Sequence, residues 1–248
     1  MEYFFSFESE IPEGYGFEPL CAGHILILVT AALLSAAAGA WYARADKRKN
    51  RAADICFGSV LLALEMLYNG MLVFTGNMSV YMLPLHLCAL SVFVCVIYLY
   101  TGTTWMGQFM YYLGAPGAVC ALLFPDWTAY PLLNFYSLSS FIIHSMLAAC
   151  CWVHLRAGRI RPDFKGLLKS LAFLVILAVP VYIFNLRFGT NYMFLAAPSA
   201  NSPLESVASV TGPSLYLAGF FVLLVLVEMV LYLPWGIAGM IRNRSANK

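Results

Sequence analysis

Long apolar stretches alternate with short polar breaks along this chain. Seven stretches are almost free of charge: 21–42, 53–75, 80–101, 105–124, 133–155, 167–188 and 213–237. Each is roughly 20 residues, and at ~1.5 Å per residue a helix of that length crosses a ~30 Å hydrocarbon core. The pattern predicts an all-α, polytopic membrane protein of about seven transmembrane helices in one domain spanning 1–248. Spans two, three and four are joined only by 76–79 and 102–104, so they are expected to be antiparallel neighbours. Residues 1–20 form an outer N-terminal segment. The break at 189–212 is longer, carries Asn191, Tyr192, Pro198, Asn201 and Pro203, and is too apolar over 192–197 for a solvated linker, so it reads as an outer loop or lid. Pro116, flanked by Gly114 and Gly117, predicts a kink in span four, and Pro180 predicts one in span six.

Charge orients these spans. Hydrophobic residues make up 62% of the chain and charged residues 10%, which excludes a soluble domain with a polar surface. Thirteen of the 14 Lys and Arg residues fall in three clusters, 44–51, 156–169 and 242–248, and the remaining one is Arg187. With seven spans all three clusters share a side, which the positive-inside rule makes cytoplasmic. The N-terminus, with Glu2, Glu8, Glu10, Glu13 and Glu18 and no cation before Arg44, is then outside and the C-terminus inside, in the cell membrane. Topology accounts for the cations, so no nucleic-acid partner is implied. The first span lacks a basic leader region and reads as a retained helix. Cysteine is odd in number at seven and sits mostly within spans, which predicts free thiols.

Ionisable and amide residues inside spans are costly in hydrocarbon and mark interior sites. Here they are His24, Glu65, Asn69, His86, Gln108, His144, Asn185, Arg187 and Glu228. Counted from the outer ends, Glu65, Asn69, Cys88 and His144 fall within roughly 10–15 Å of the outer surface, whereas Gln108 and Glu228 lie towards the cytoplasm. Each alone is commonly helix-to-helix glue or filler; a carboxylate, imidazoles, a thiol and amides at one depth point to a polar site. Glu65 and Asn69, four apart, share a helix face. Pro84 is expected in the first turn of span three, with His86 and Cys88 about 200° apart on that helix. His144 is the obvious complement: an imidazole that takes the thiol proton generates the thiolate nucleophile, and Glu65 can orient the imidazole. The spacing of His86, Cys88, His144 and Glu65 matches no metal motif, and no metal or cofactor is predicted.

The segments Leu83-Pro84-Leu85-His86-Leu87-Cys88, Ile142-Ile143-His144-Ser145 and Gly189-Thr190-Asn191-Tyr192-Met193-Phe194-Leu195 resemble the YwaF-like integral membrane proteins of bacteria, related to the animal transmembrane acyltransferase of ether-phospholipid synthesis. The resemblance covers nearly the whole chain. It implies acyl transfer between lipids, with Cys88 as nucleophile and His86 or His144 as base, and membrane phospholipid or fatty acyl lipid as partner. Asn69, Asn185 or Asn191 would then stabilise the oxyanion, and Arg187 would hold a lipid phosphate or simply reach the interface. More distant kin imply lipid ester hydrolysis as an alternative. A non-enzymatic binder or transporter of a small solute is the reading from a different class, and it needs a polar path to the cytoplasm for which only Gln108 and Glu228 are available.

Overall fold

Local chemistry sets the helix boundaries. Asp46, Asn134 and Asp163 sit just before three helices, and each side chain accepts a first-turn backbone N–H, from Lys49 (2.9 Å), Tyr136 (2.8 Å) and Gly166 (2.7 Å). Gly189 closes the helix that Asp163 opens, and Gly102 closes a further one, both in the left-handed conformation that glycine adopts without steric cost. In this computed structural model, which describes residues 2–246 and side chains as far as Ile241, the chain is all-α. The third basic cluster, 242–248, lies outside the described side chains. The helices are α1 (Ala22–Arg44), α2 (Lys47–Phe74), α3 (Leu87–Thr101), α4 (Thr104–Phe109), α5 (Ala115–Leu123), α6 (Phe135–Arg156), α7 (Phe164–Phe188), α8 (Pro203–Thr211) and α9 (Tyr216–Ala246).

Five of these, α1, α2, α6, α7 and α9, are long and apolar enough to cross a membrane. Leucines and isoleucines such as Leu26, Leu33, Leu34, Ile176, Ile183 and Leu186 cover their outer faces, which suits lipid as solvent. The other two expected spans depart from a simple helix. Between α4 and α5 the chain runs through a π-helical turn, Met110–Gly114. Pro116 follows directly and donates no N–H, so the widened turn absorbs the bond and the ring clash that Pro116 denies a regular helix. The kink expected at this proline is thus realised as a π turn.

Span three differs more. Helix α3 starts at Leu87, with His86 as its N-cap, so 80–86 is not helical and Pro84 lies before the helix instead of in its first turn. His86 and Cys88 therefore do not occupy opposite faces of one helix. The core that fixes α3 gathers Leu61 from α2, Val92, Cys95, Tyr98 and Leu99 from α3, Phe109, Met110 and Leu113 around the π turn, and Leu147 from α6.

Helices α4 and α7 approach closely through Gly166. A Cβ there would lie 1.3 Å from Gln108 Oε1, the atom that accepts the Asp163 N–H at 3.3 Å, while Gln108 Nε2 donates to Asp163 Oδ2 at 3.2 Å. Gln108 is thereby tied to the cap of α7. Gly166→Ala is expected to cost about 1–3 kcal/mol through overpacking and to lower the melting temperature in detergent; an unchanged melting temperature would contradict this approach.

Candidate functional site

The non-helical segment 80–86 is held by the loop that follows α7. The Tyr192 hydroxyl donates to the Val80 carbonyl at 2.7 Å and accepts the Leu83 N–H at 2.7 Å, so one buried phenol satisfies backbone groups that a helix would have paired. Burial pushes the Tyr192 ionisation above the ordinary phenol value, which keeps it a donor. Asn185 fixes the loop in turn: its amide donates to the Tyr192 carbonyl (2.9 Å) and accepts the Tyr192 N–H (2.9 Å) and the Thr190 hydroxyl (2.8 Å). Asn191 folds the next turn by accepting the Ala196 and Ala197 N–H groups. Met193 and Phe194 both take left-handed backbone conformations, at φ 56° and 55°, and the Tyr216 hydroxyl clamps the Phe194 carbonyl at 2.7 Å. Such strain persists only where surroundings over-determine it, and it clusters at functional sites. Tyr192→Phe should leave Val80 C=O and Leu83 N–H unpaired, at a cost of about 1–3 kcal/mol. Faster amide hydrogen exchange at Leu83 is the expected observation.

Beneath the loop is a cavity of about 240 Å³ lined by Tyr81, His86, Asp126, Thr190, Asn191, Tyr192 and Phe194. His86 packs edge-on against Tyr192 and receives the Met193 N–H at Nδ1 over 3.4 Å. A ring nitrogen that accepts leaves the proton on the other, so neutral His86 presents Nε2–H as a donor. His144, on α6, has the opposite arrangement. Its Nδ1 lies 2.7 Å from the Ser140 carbonyl, which can only accept, so Nδ1 carries the proton and Nε2 keeps its lone pair. Trp127 stacks on the His144 ring at 5.2 Å and 20°, which fixes its plane.

Cys88 occupies the first turn of α3. The first intrahelical bond runs from Leu90 N–H to the His86 carbonyl, so the N–H groups of Leu87, Cys88 and Ala89 are not used by the helix. The positive end of α3 therefore faces the thiol. Glu65 and Asn69 meet as their spacing predicts, with Asn69 Nδ2 donating to Glu65 Oε1 at 3.0 Å and to the Glu65 carbonyl at 2.8 Å. Glu65 lies within electrostatic range of Cys88. Arg187 is exposed in the last turn of α7 and packs over the Phe188 ring.

Asp126, in the loop between α5 and α6, was not among the residues singled out in the sequence, yet its carboxylate is within electrostatic range of Tyr68, His86, Cys88 and His144. It lines the cavity together with His86. No hydrogen bond joins Cys88 to His86 or His144 among the described residues, nor do three His, Cys, Asp or Glu side chains come close enough to hold a metal ion. Of the titratable residues in this group, His86 and Asp126 line the cavity, whereas Cys88, His144 and Glu65 lie outside its lining. His24 stays apart from it: Nδ1 accepts the Leu20 N–H at 2.9 Å and Nε2 lies 2.8 Å from the Leu122 carbonyl, so both ring nitrogens serve the fold.

A second polar cluster lies at the other end of the bundle. Asp54 accepts the Tyr42 hydroxyl (3.0 Å) and His154 Nε2 (3.1 Å), pairs with Arg159, and leaves His154 Nδ1 to the Tyr98 hydroxyl at 2.8 Å. This cluster joins α1, α2, α3, α6 and the loop after α6. Its signal in the sequence was Asp54, an acid just after a basic run. Its partner His154 is 100 positions away.

The fold and site together define a multi-pass helical membrane protein with a polar cavity at one end. Residues 20–237 match the sequence pattern of the TMEM164 family, and the chain belongs to that family. It is also similar, at 29% identity over 154 residues, to an uncharacterized protein of Treponema pallidum (strain Nichols), a match that covers 62% of this chain and 62% of that one. No solved structure matches the chain.

Proposed function

We infer that the protein is a lipid acyl-transfer enzyme of the cell membrane, with its site in the outer half of the bilayer. The observation that carries this reading is the tautomer of His144, which leaves Nε2 free to accept a proton, in a chain that also places a thiol, Cys88, at the N-terminus of α3. Membership of the TMEM164 family is compatible with it, as is the resemblance to YwaF-like proteins and, through them, to the ether-phospholipid acyltransferase.

In the proposed reaction His144 Nε2 takes the Cys88 thiol proton, and the sulfur attacks the ester carbonyl of an acyl lipid. The carbonyl electrons collect on oxygen, where the first-turn N–H groups of α3 and the His86 Nε2–H act as donors. Collapse expels the lipid alkoxide, which recovers the proton from His144 and leaves an acyl thioester on Cys88. The hydroxyl of a second lipid then gives its proton to His144 and attacks the thioester, so the acyl group moves and the thiol is restored. Glu65 is held by Asn69, whereas Asn185 and Asn191 shape the loop. Leu83, Leu85, Leu90, Val181, Phe184 and Phe220 pack around that loop and offer an apolar path for the acyl chain. Arg187 is placed to meet a lipid phosphate. Towards the other end of α6 the bundle is filled by Leu147, Cys150, Cys151 and Phe109 next to the Asp54 cluster.

The test uses purified protein in proteoliposomes with an acyl-labelled donor lipid and an unlabelled lyso-lipid. Label moving to the lyso-lipid in wild type, and not in Cys88→Ala, supports transfer; label released as free fatty acid supports the hydrolase; neither product contradicts both. The reading also requires seven spans, with the N-terminus out. Cysteine-accessibility labelling should find positions 77, 126 and 201 outside and 48 and 161 inside. Positions 161 and 201 on one side would contradict that topology.

A further inference from the structure

Far from the cavity, α7 and α4 frame a groove of about 390 Å³ lined by Trp105, Lys169, Ala172, Phe173 and Ile176. Lys169, Ala172, Phe173 and Ile176 recur at the spacing of one helical face, and Trp105 closes the other wall, edge-on to Phe173 at 5.5 Å. Lys169 and Asn185 are 16 positions apart on α7, so roughly 24 Å separates this groove from the loop over the cavity. The face is open: Ile176 is 66% exposed and Lys169 is exposed.

Lys169 lies in the second turn of α7 on its exposed, otherwise apolar face, so its ammonium reaches along the stem towards the membrane surface. No acidic partner pairs with it among the described residues. The nearest carboxylate in the sequence, Asp163, is engaged by the Gly166 N–H and the Gln108 amide, while Arg161 and Lys165 add positive charge at the same end. A zwitterionic headgroup brings its own counter-ion and would leave this charge unmatched. An anionic headgroup matches it, and basic pockets between helices on the cation-rich side are a recurrent form of lipid recognition.

We propose that the groove between α4 and α7 binds an anionic glycerophospholipid of the adjoining leaflet, its phosphate on Lys169 and an acyl chain along Trp105, Phe173 and Ile176. The experiment is native mass spectrometry of the full chain titrated with phosphatidylglycerol or phosphatidylcholine of matched acyl chains. Wild type should retain phosphatidylglycerol several-fold better. Lys169→Gln should remove that preference, Lys169→Arg should keep it, and Lys165→Gln should keep most of it. Equal retention of the two lipids by wild type would overturn the proposal. So would an unaltered preference in Lys169→Gln, or an equal loss in Lys165→Gln, which would mean diffuse surface charge. Should Lys169→Gln fail to fold, the readout is the wild-type fluorescence component absent from Trp105→Phe. Phosphatidylglycerol with brominated chains should quench it more than the phosphatidylcholine counterpart, and equal quenching would overturn the site.

Discussion

Asp54→Ala is expected to destabilise the protein more than any other single substitution outside the apolar core. Asp54 is 2% exposed and collects the Tyr42 hydroxyl, His154 Nε2 and the Arg159 guanidinium on one carboxylate. Removing one member of a buried ion pair strands the remaining charge and costs about 3–5 kcal/mol. Arg159 is 36% exposed and recovers some hydration, so the lower end applies. A loss of about 3 kcal/mol corresponds to a melting temperature roughly 6–12 °C lower. Arg159→Ala should cost less than Asp54→Ala, because the carboxylate keeps its Tyr42 and His154 donors, whereas Asp54→Ala leaves all three partners without an acceptor. An unchanged melting temperature in Asp54→Ala, followed in detergent, would contradict the role given to this cluster.

The largest effect on activity is expected at His144. If Nε2 of this ring is the base, His144→Ala should lower acyl transfer by about 10²–10⁴-fold, and wild-type transfer should fall as the pH is lowered and Nε2 becomes protonated. His86→Ala should cost about 10²–10³-fold, the loss of one donor to the oxyanion, without removing that acid limb. If instead His86→Ala abolished the acid limb and His144→Ala left it, the two imidazoles would have exchanged roles. Asp126→Asn tests the carboxylate that lines the cavity with His86. A pH profile displaced from that of wild type is the expected result, since a charge near both imidazoles biases their protonation.

The all-α class and the approximate positions of the apolar helices were legible because hydrophobicity over ~20 residues is a long, redundant signal. So was the meeting of Glu65 and Asn69, a local consequence of helical spacing. The start of α3 was not. Residues 80–86 are as apolar as a helix, and what holds them in turns outside the helix is Tyr192, more than 100 positions later in the chain, whose hydroxyl replaces the missing helical bonds. Asp126 was hidden for the same reason: it reads as a loop acid, and only the return of the chain between α5 and α6 brings it beside His86. Asn185 carried a real signal, a buried amide near the outer surface, yet its hydrogen bonds are spent on the Gly189–Leu195 turn. The tautomers of His86 and His144 depend on which backbone group each Nδ1 meets, which no sequence pattern records.

The most direct test of the acyl-transfer reading is to trap the intermediate. Wild-type protein would be incubated with a donor phospholipid and no acceptor, quenched in acid, and its Cys88-containing peptide examined by mass spectrometry. The expected result is an acyl adduct on Cys88, removed by neutral hydroxylamine as a thioester would be, absent from Cys88→Ala and slow to form in His144→Ala. Acyl transfer by wild type with no adduct at Cys88, together with full transfer by Cys88→Ala, would contradict the account.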